Sequence, residues 1–281
     1  MKKPAIILIV LVSVILFSLL VYYGFKYTRG VPVPIEESKR VVLEAPFRDQ
    51  EIDLAKRIET EFWDTLSAQE IKLVYQIMVL PWPKSITPDI KVKAFHNTQD
   101  IYFYLEWNDD TEDRIHGMNK FSDACAIMFP LDEKTQTPTL MMGFLGRADI
   151  WHWKAVQDKE YWLGKPNETK AYADYYYPFE EKETLALSRV IPKSAVNNLM
   201  AIRVGTVTPK ENQYVYGRGF FSAGQGRWQV VFKRSLNAVN PEVDAIFNPG
   251  KRLSAFAVWN GSKGDRGGRK SISDWVELDI K

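Results

Sequence analysis

Cysteine is nearly absent: Cys125 is the one thiol in 281 residues. A lone cysteine excludes an intrachain disulfide, a CxxCH haem attachment, an iron–sulfur cluster held by this chain and a cysteine-rich zinc site. Histidine is scarce as well, at His96, His116 and His152 only, so a histidine-rich metal centre has almost no material. Neither sign of charge dominates. The 37 Lys and Arg against 35 Asp and Glu leave a net charge of +2, without the basic footprint of a nucleic-acid surface. GxGxxG, P-loop and GxSxG motifs are all missing, which removes sequence support for nucleotide binding and serine hydrolase chemistry. There is no internal repeat and no low-complexity block.

What the chain does have is apolar and aromatic material: 46% hydrophobic and 13% aromatic residues, enough for one large core or two small ones. Its most local signal is AIILIVLVSVILFSLLVYYGF, uncharged from Pro4 to Phe25. A spanning helix needs about 20 apolar residues. Tyr22, Tyr23 and Tyr27 suit an interfacial aromatic belt, and Lys2 and Lys3 favour the cytoplasmic side. No small-x-small cleavage site closes the run, so residues 1–27 are expected to be a retained membrane anchor, with the rest on the extracytoplasmic, periplasmic-type side. Residues 28–46 carry three prolines and mixed charges and read as a linker. Residues 47–281 form the expected globular domain.

Within that domain a short helix is expected over 49–60 (DQEIDLAKRIET), after which the pattern switches to period two. LVYQIMVLP (73–81), IKVKAF (90–95), IYFYLEW (101–107), DACAIMF (123–129), DIWHWKA (149–155), RWQVVFKRSL (227–236), RLSAFAVW (252–259) and VELDI (276–280) read as strands. Asn97–Asp100 and the SAGQG stretch read as turns. Short strands separated by Gly, Asn and Pro indicate an all-β chain: an antiparallel β-sandwich with an N-terminal transmembrane helix and a few short helices. The Tyr-rich segment 156–217 is less regular and reads as an insertion.

Few residues could carry chemistry. Met141 and Met142 stand together before Gly143, in a chain with 7 Met. A methionine is commonly a gap-filler in a core, and it is also a soft thioether that can reach a metal. In the strand 149–155, Trp151 and Trp153 share one face while Ile150, His152 and Lys154 share the other. The tryptophans suit either a core or the wall of a planar ligand. Lys263, Arg266, Arg269 and Lys270 fill a basic C-terminal loop that suits either solvent or the carboxylates of a cofactor. Asp109, Asp110, Glu112 and Asp113 cluster without EF-hand spacing and read as a solvated loop.

Five stretches occur in a fixed order: HNTQDIYFYLEWNDDTED; FSDACAIMFP; MMG followed by IWHWKA; GRWQVVFKRSL; and AFAVWNGSKGDRGGRKSISDW. From about residue 60 onward the chain resembles the haem b-binding gamma subunits of the complex iron–sulfur molybdoenzymes. These include the gamma subunits of ethylbenzene and dimethyl sulfide dehydrogenases, of selenate and chlorate reductases, and of nitrite oxidoreductase.

The resemblance implies a β-sandwich holding one non-covalent haem b between a methionine and a lysine. Met142, just before the glycine, corresponds to the family's methionine, with Met141 next to it as the alternative. Lys270 is the expected lysine, with Lys233 and Lys154 as alternatives, and His152 competes on chemical grounds because imidazole is the commoner haem ligand. Trp151 and Trp153 would wall the cofactor, and Arg266 and Arg269 would meet its propionates. On this reading the chain is not itself an enzyme. It relays electrons between the iron–sulfur (beta) subunit of a molybdenum (alpha) enzyme, of nitrite oxidoreductase or nitrate reductase type, and a soluble cytochrome or other carrier. Two alternatives stand beside it: a carbohydrate-binding β-sandwich module, and a haem-free membrane tether for an enzyme complex.

Overall fold

In a computed structural model the described residues are 16–19, 40–77, 80, 82, 85–117, 119–132, 140, 143–165 and 193–281. The chain divides into two units, Met1–Lys39 and Arg40–Lys281. Of the first, residues 16–19 are helical, with Leu16, Phe17 and Leu19 exposed. The expected anchor 1–27 otherwise lies outside the described residues, and among those no helix is long and apolar enough to cross a membrane.

The second unit is a β-sandwich with two short helices. Its strands are β1 (Val42–Ala45), β2 (Gln69–Lys72), β3 (Val74–Tyr75), β4 (Asp89–His96), β5 (Asp100–Asn108), β6 (Ala124–Pro130), β7 (Leu145–Lys154), β8 (Val196–Arg203), β9 (Thr208–Pro209), β10 (Tyr216–Ser222), β11 (Arg227–Ser235), β12 (Gly250–Trp259), β13 (Ser271–Ile272) and β14 (Val276–Ile280). The helices are α1 (Thr60–Asp64) and α2 (Ala155–Leu163). Among the described residues, five strands form one sheet in the order β10-β11-β5-β4-β2. Nine form the other, β1-β14-β12-β6-β7-β8-β9, with β13 joining β12 to β3. Pairing is antiparallel throughout, as expected, except that β1 runs parallel to β14.

Alternation builds the core. Ile101, Phe103, Leu105 and Trp107 of β5 and Ile90, Val92 and Ala94 of β4 face inward from the smaller sheet. They meet Cys125, Ile127 and Phe129 of β6 and Trp151 and Trp153 of β7 from the larger one. The turn between β4 and β5 forms where Asn97 is: its Oδ1 accepts the backbone N–H groups of Gln99 and Asp100 at 2.9 and 2.7 Å.

Two expectations fail on local grounds. The helix expected over 49–60 begins only at Thr60. Asp53 instead accepts the N–H of Ala55 at 2.9 Å, an Asx turn that diverts the backbone. Leu54 then packs beneath Trp63, Phe95, Tyr102 and Tyr104 on the outer side of the smaller sheet. The segment 156–217, expected to be irregular, contains α2, β8 and β9 and the start of β10. Its residues 166–192 lie outside the described residues, as do Met78, Val79 and Pro81 of the expected strand 73–81.

Gly219 of β10 shows how tightly the inner layer closes. Its N–H donates to Asp158 Oδ1 at 2.8 Å, and a β-carbon there would lie 2.1 Å from Cζ2 of Trp153. The indole is fully buried and has nowhere to retreat. Gly219→Ala is therefore expected to destabilise the fold by about 3 kcal/mol through overpacking, seen as a lower denaturant midpoint at unchanged slope.

Candidate functional site: a trough on the back of the larger sheet

The larger sheet is buried on both faces along its centre. Its inner face carries the odd-numbered residues of β6 and β7, and the even-numbered ones turn the other way. There Ala124 and Ala126 of β6, Ala257 and Trp259 of β12 and Ile272 of β13 form a second apolar cluster, with Val74 and Ile150 at its margin. The register aligns His152, Ala126, Ala257 and Ile272 in one row across four strands, and Lys154, Ala124 and Trp259 in the next. Three alanines thus make a low floor. Nitrogen-bearing side chains flank it, His152 and Lys154 of β7 on one side and Lys270, just before β13, on the other.

Lys270 sits where the chain enters β13, its backbone held by the Gln76 N–H at 3.0 Å. The side chain is half-buried, and its Nζ lies 4.6 Å from the centroid of the Trp259 ring. No carboxylate pairs with it among the described residues, and burial pushes its ammonium pKa down to about 8. His152 stacks on the same indole, with centroids 4.6 Å apart and planes at 30°. Its Nε2 is buried without a hydrogen-bond partner. Burial, followed by the nearby charges of Lys154, Lys270 and His116, holds the imidazole pKa well below its ordinary range, so the ring is neutral. The indole is itself fixed, Nε1 donating to the carbonyl of Gly267 at 2.9 Å.

The other expected site residues are distributed unevenly. Met141 and Met142 lie outside the described residues. Leu140, which precedes them, packs with Leu253, Ala255 and Trp275 on the same back face, with Phe144 at the margin. Gly143 adopts φ 82°, a conformation that favours glycine, which accounts for the residue type after the methionine pair.

Trp151 and Trp153 do not reach the trough. Both are fully buried on the inner face, Trp151 against Phe129 (4.8 Å) and Phe247 (5.5 Å) and Trp153 against Trp228 (5.1 Å). The alternation that places His152 over the alanines necessarily turns its tryptophan neighbours away.

Lys233 is on the other sheet, bound to Glu51 at 3.1 Å and Asp100 at 3.3 Å, and these partners raise its pKa despite partial burial. Lys154 shares the trough face at the end of β7. Arg266 lies over the Phe121 ring at 4.6 Å and donates to the carbonyl of Gly264 at 2.9 Å. Its backbone pairs with that of Arg269. Trp259 and the alanine floor are the members that residue chemistry missed. Their signal was present in the alternation of Ala124/Ala126 and Leu253/Ala255/Ala257/Trp259, which is apolar on both faces of β6 and β12.

The loop joining Trp259 to Lys270 holds a buried acid. Asp265 Oδ2 accepts the N–H of Asn260 at 3.1 Å, while its Oδ1 has no partner. Burial pushes its pKa up to about 6. A carboxyl raised in the folded state contributes stability that is complete below its unfolded pKa of about 3.9 and is lost as pH rises through about 6. Asp265→Asn should abolish that loss. Relative to the parent, the variant is expected to gain on the order of 2 kcal/mol between pH 4 and pH 8, measured by chemical denaturation at both.

Fold and trough together define a β-sandwich that carries the Lys270 amine and the orphaned Nε2 of His152 on the back of its larger sheet. The chain belongs to the ethylbenzene dehydrogenase family, whose family model matches residues 60–271. A Haloferax mediterranei protein named as a respiratory nitrate reductase heme subunit (ORF7) is 26% identical over 237 residues, covering 80% of this chain and 68% of its own. The chlorate reductase subunit gamma of Ideonella dechloratans is 23% identical, and the dimethylsulfide dehydrogenase subunit gamma of Rhodovulum sulfidophilum is 25% identical. Those matches cover 68% and 67% of this chain, which spans 65% and 59% of the two relatives' lengths. Among solved structures, a family 9 carbohydrate-binding module from Caldicellulosiruptor kristjanssonii aligns with a TM-score of 0.43 at 10% identity, over 85% of this chain and 95% of that one.

Proposed function

We propose that this protein is a non-catalytic electron-transfer subunit that holds one non-covalent haem b, whose iron Lys270 and Met142 would hold. It would relay electrons between the iron–sulfur subunit of a molybdenum enzyme, of nitrate reductase or nitrite oxidoreductase type, and an external carrier such as a soluble cytochrome. The apolar run 4–25 would tether it to the membrane with the sandwich on the extracytoplasmic side.

The observation that carries the reading is the Lys270 amine, held in an apolar trough with no carboxylate partner among the described residues. Three further features suit a flat, largely apolar guest with a metal at its centre: the low alanine floor, the orphaned Nε2 of His152, and the depressed pKa of the lysine. An amine must shed its proton to bind a metal, and burial lowers that barrier. A bound haem b supplies a one-electron ferric/ferrous couple. The chain's own part is to present the amine and the thioether, exclude water with Trp259, Ile272 and the alanines, and leave His152 neutral. An iron held by two protein residues would suit electron transfer and not substrate activation.

The test is the full chain isolated from native membranes. Haem b bands on reduction, acid–acetone extractable pigment, and iron and molybdenum in the co-purifying complex are the expected results. A colourless chain in a complete complex would refute the reading, and sugar-dependent tryptophan quenching in its place would favour a carbohydrate-binding module.

A further inference from the structure

One lysine and one arginine largely buried in this sandwich are held by carboxylates. Lys210 lies 2.7 Å from Asp149 and 2.8 Å from Asp244, and Arg114 lies 2.8 Å from Asp158. Lys270 has no such partner among the described residues; like Arg252 over Phe247 and Arg218 over Trp162, it lies on an aromatic face. It rests on the face of Trp259, which is 7% exposed, anchored through Nε1 to Gly267 and braced by the His152 ring. The anchor lies in the same short loop that leads from β12 to Lys270, so one indole fixes both the loop and the amine at its end. An aspartate here would hold the amine in an ion pair directed at its own oxygens. A π face restrains the amine without offering it a directional acceptor.

We propose that Trp259 is the positioning residue for Lys270, its ring aiming the amine at the alanine-floored trough where the cofactor binds. The inference rests on Lys270 being an axial ligand. It assigns to the aromatic plane a role distinct from filling the trough: setting the occupancy of the Lys270 bond by restricting where the amine can go.

The experiment uses the full chain loaded with haem b and compares Trp259→Phe, which keeps a ring, Trp259→Leu, which removes it, and Lys270→Leu. The readouts are the low-spin absorption spectrum and the fraction of ferrous haem that binds carbon monoxide, which enters only where an axial ligand lets go. W259F is expected to stay within twofold of the parent, and W259L to bind carbon monoxide at least fivefold more readily.

The haem-free chain gives an independent measurement that needs no cofactor. Acylation of Lys270, scored by peptide mass spectrometry, should be at least fivefold faster in W259L and within twofold of the parent in W259F. Parental behaviour of W259L in both assays, or equal damage in W259F and W259L, overturns the role of the ring. A parental spectrum in K270L overturns the ligand assignment beneath it. If W259L does not accumulate as folded protein, W259F and Trp259→Tyr decide: disturbed ligation with a ring still present rejects the proposal.

Discussion

Trp153→Ala is expected to lower the stability of the sandwich by about 3–5 kcal/mol, the range for removing a large aromatic side chain from a closed core. The indole is fully buried between the sheets, 5.1 Å from Trp228 and 6.4 Å from Trp107, both edge-to-face. Its Nε1 donates to Asp158 Oδ1 at 2.9 Å. That carboxylate also receives the Gly219 N–H and one arm of Arg114, and burial already raises its pKa. Alanine would leave a cavity and remove one of the bonds that offset the buried charge, so two destabilising effects add. Any cofactor bound on the back face should keep its spectrum in the fraction that remains folded. Denaturation midpoint and visible spectrum, measured together, check the prediction. A cofactor lost from well-folded protein would restore Trp153 to the site.

Lys270→Leu is expected to do the reverse. In the haem-loaded chain it should abolish the low-spin, six-coordinate spectrum, because the amine is gone and leucine offers iron nothing. In the haem-free chain it should raise stability at neutral pH. The sign follows from the depressed pKa, about 8 in the folded protein against about 10.4 in the unfolded chain. Burial of the charged amine is most unfavourable below pH 8, and the penalty fades as pH rises from about 8 toward 10.4, where both states become neutral. The parent should therefore gain stability across that interval, and the leucine variant should lack the gain. A residue retained against stability marks a functional compromise. Loss of stability in the leucine variant, with an unchanged spectrum, would show that Lys270 only supports the fold.

The strands were legible because period two survives wherever one face is buried and turns are marked by Asn, Gly and Pro. β4, β5, β11 and β12 appear close to where alternation puts them. β8 was not legible. VNNLMAIR carries two asparagines, and their role emerges only in three dimensions, where Asn197 receives the side-chain N–H of Gln157 at 3.0 Å. The helix expected at 49–60 was lost to a single aspartate turn that no periodicity reports.

In the candidate site, Lys270 and His152 were legible as chemistry, but their shared neighbour was not. Distinguishing Trp259 from Trp151 and Trp153 requires knowing which face of the larger sheet meets the smaller one. Both faces of β6 and β12 are apolar, so the pattern alone leaves that choice open. The resemblance supplied the lysine; the indole beneath it comes from the strand register.

The parallel pairing of β1 with β14 has a consequence for how the domain is made. Val42 through Ala45 align with Glu277 through Ile280, and His96 Nε2 lies 2.8 Å from the carbonyl oxygen of Lys281. The first strand of the sandwich can therefore dock on β4, where the His96 N–H donates to the carbonyl of Pro46 at 3.1 Å, long before its own sheet partner is made. A nascent chain halted before residue 276 leaves that strand's edge without its ladder, open to pairing with another strand.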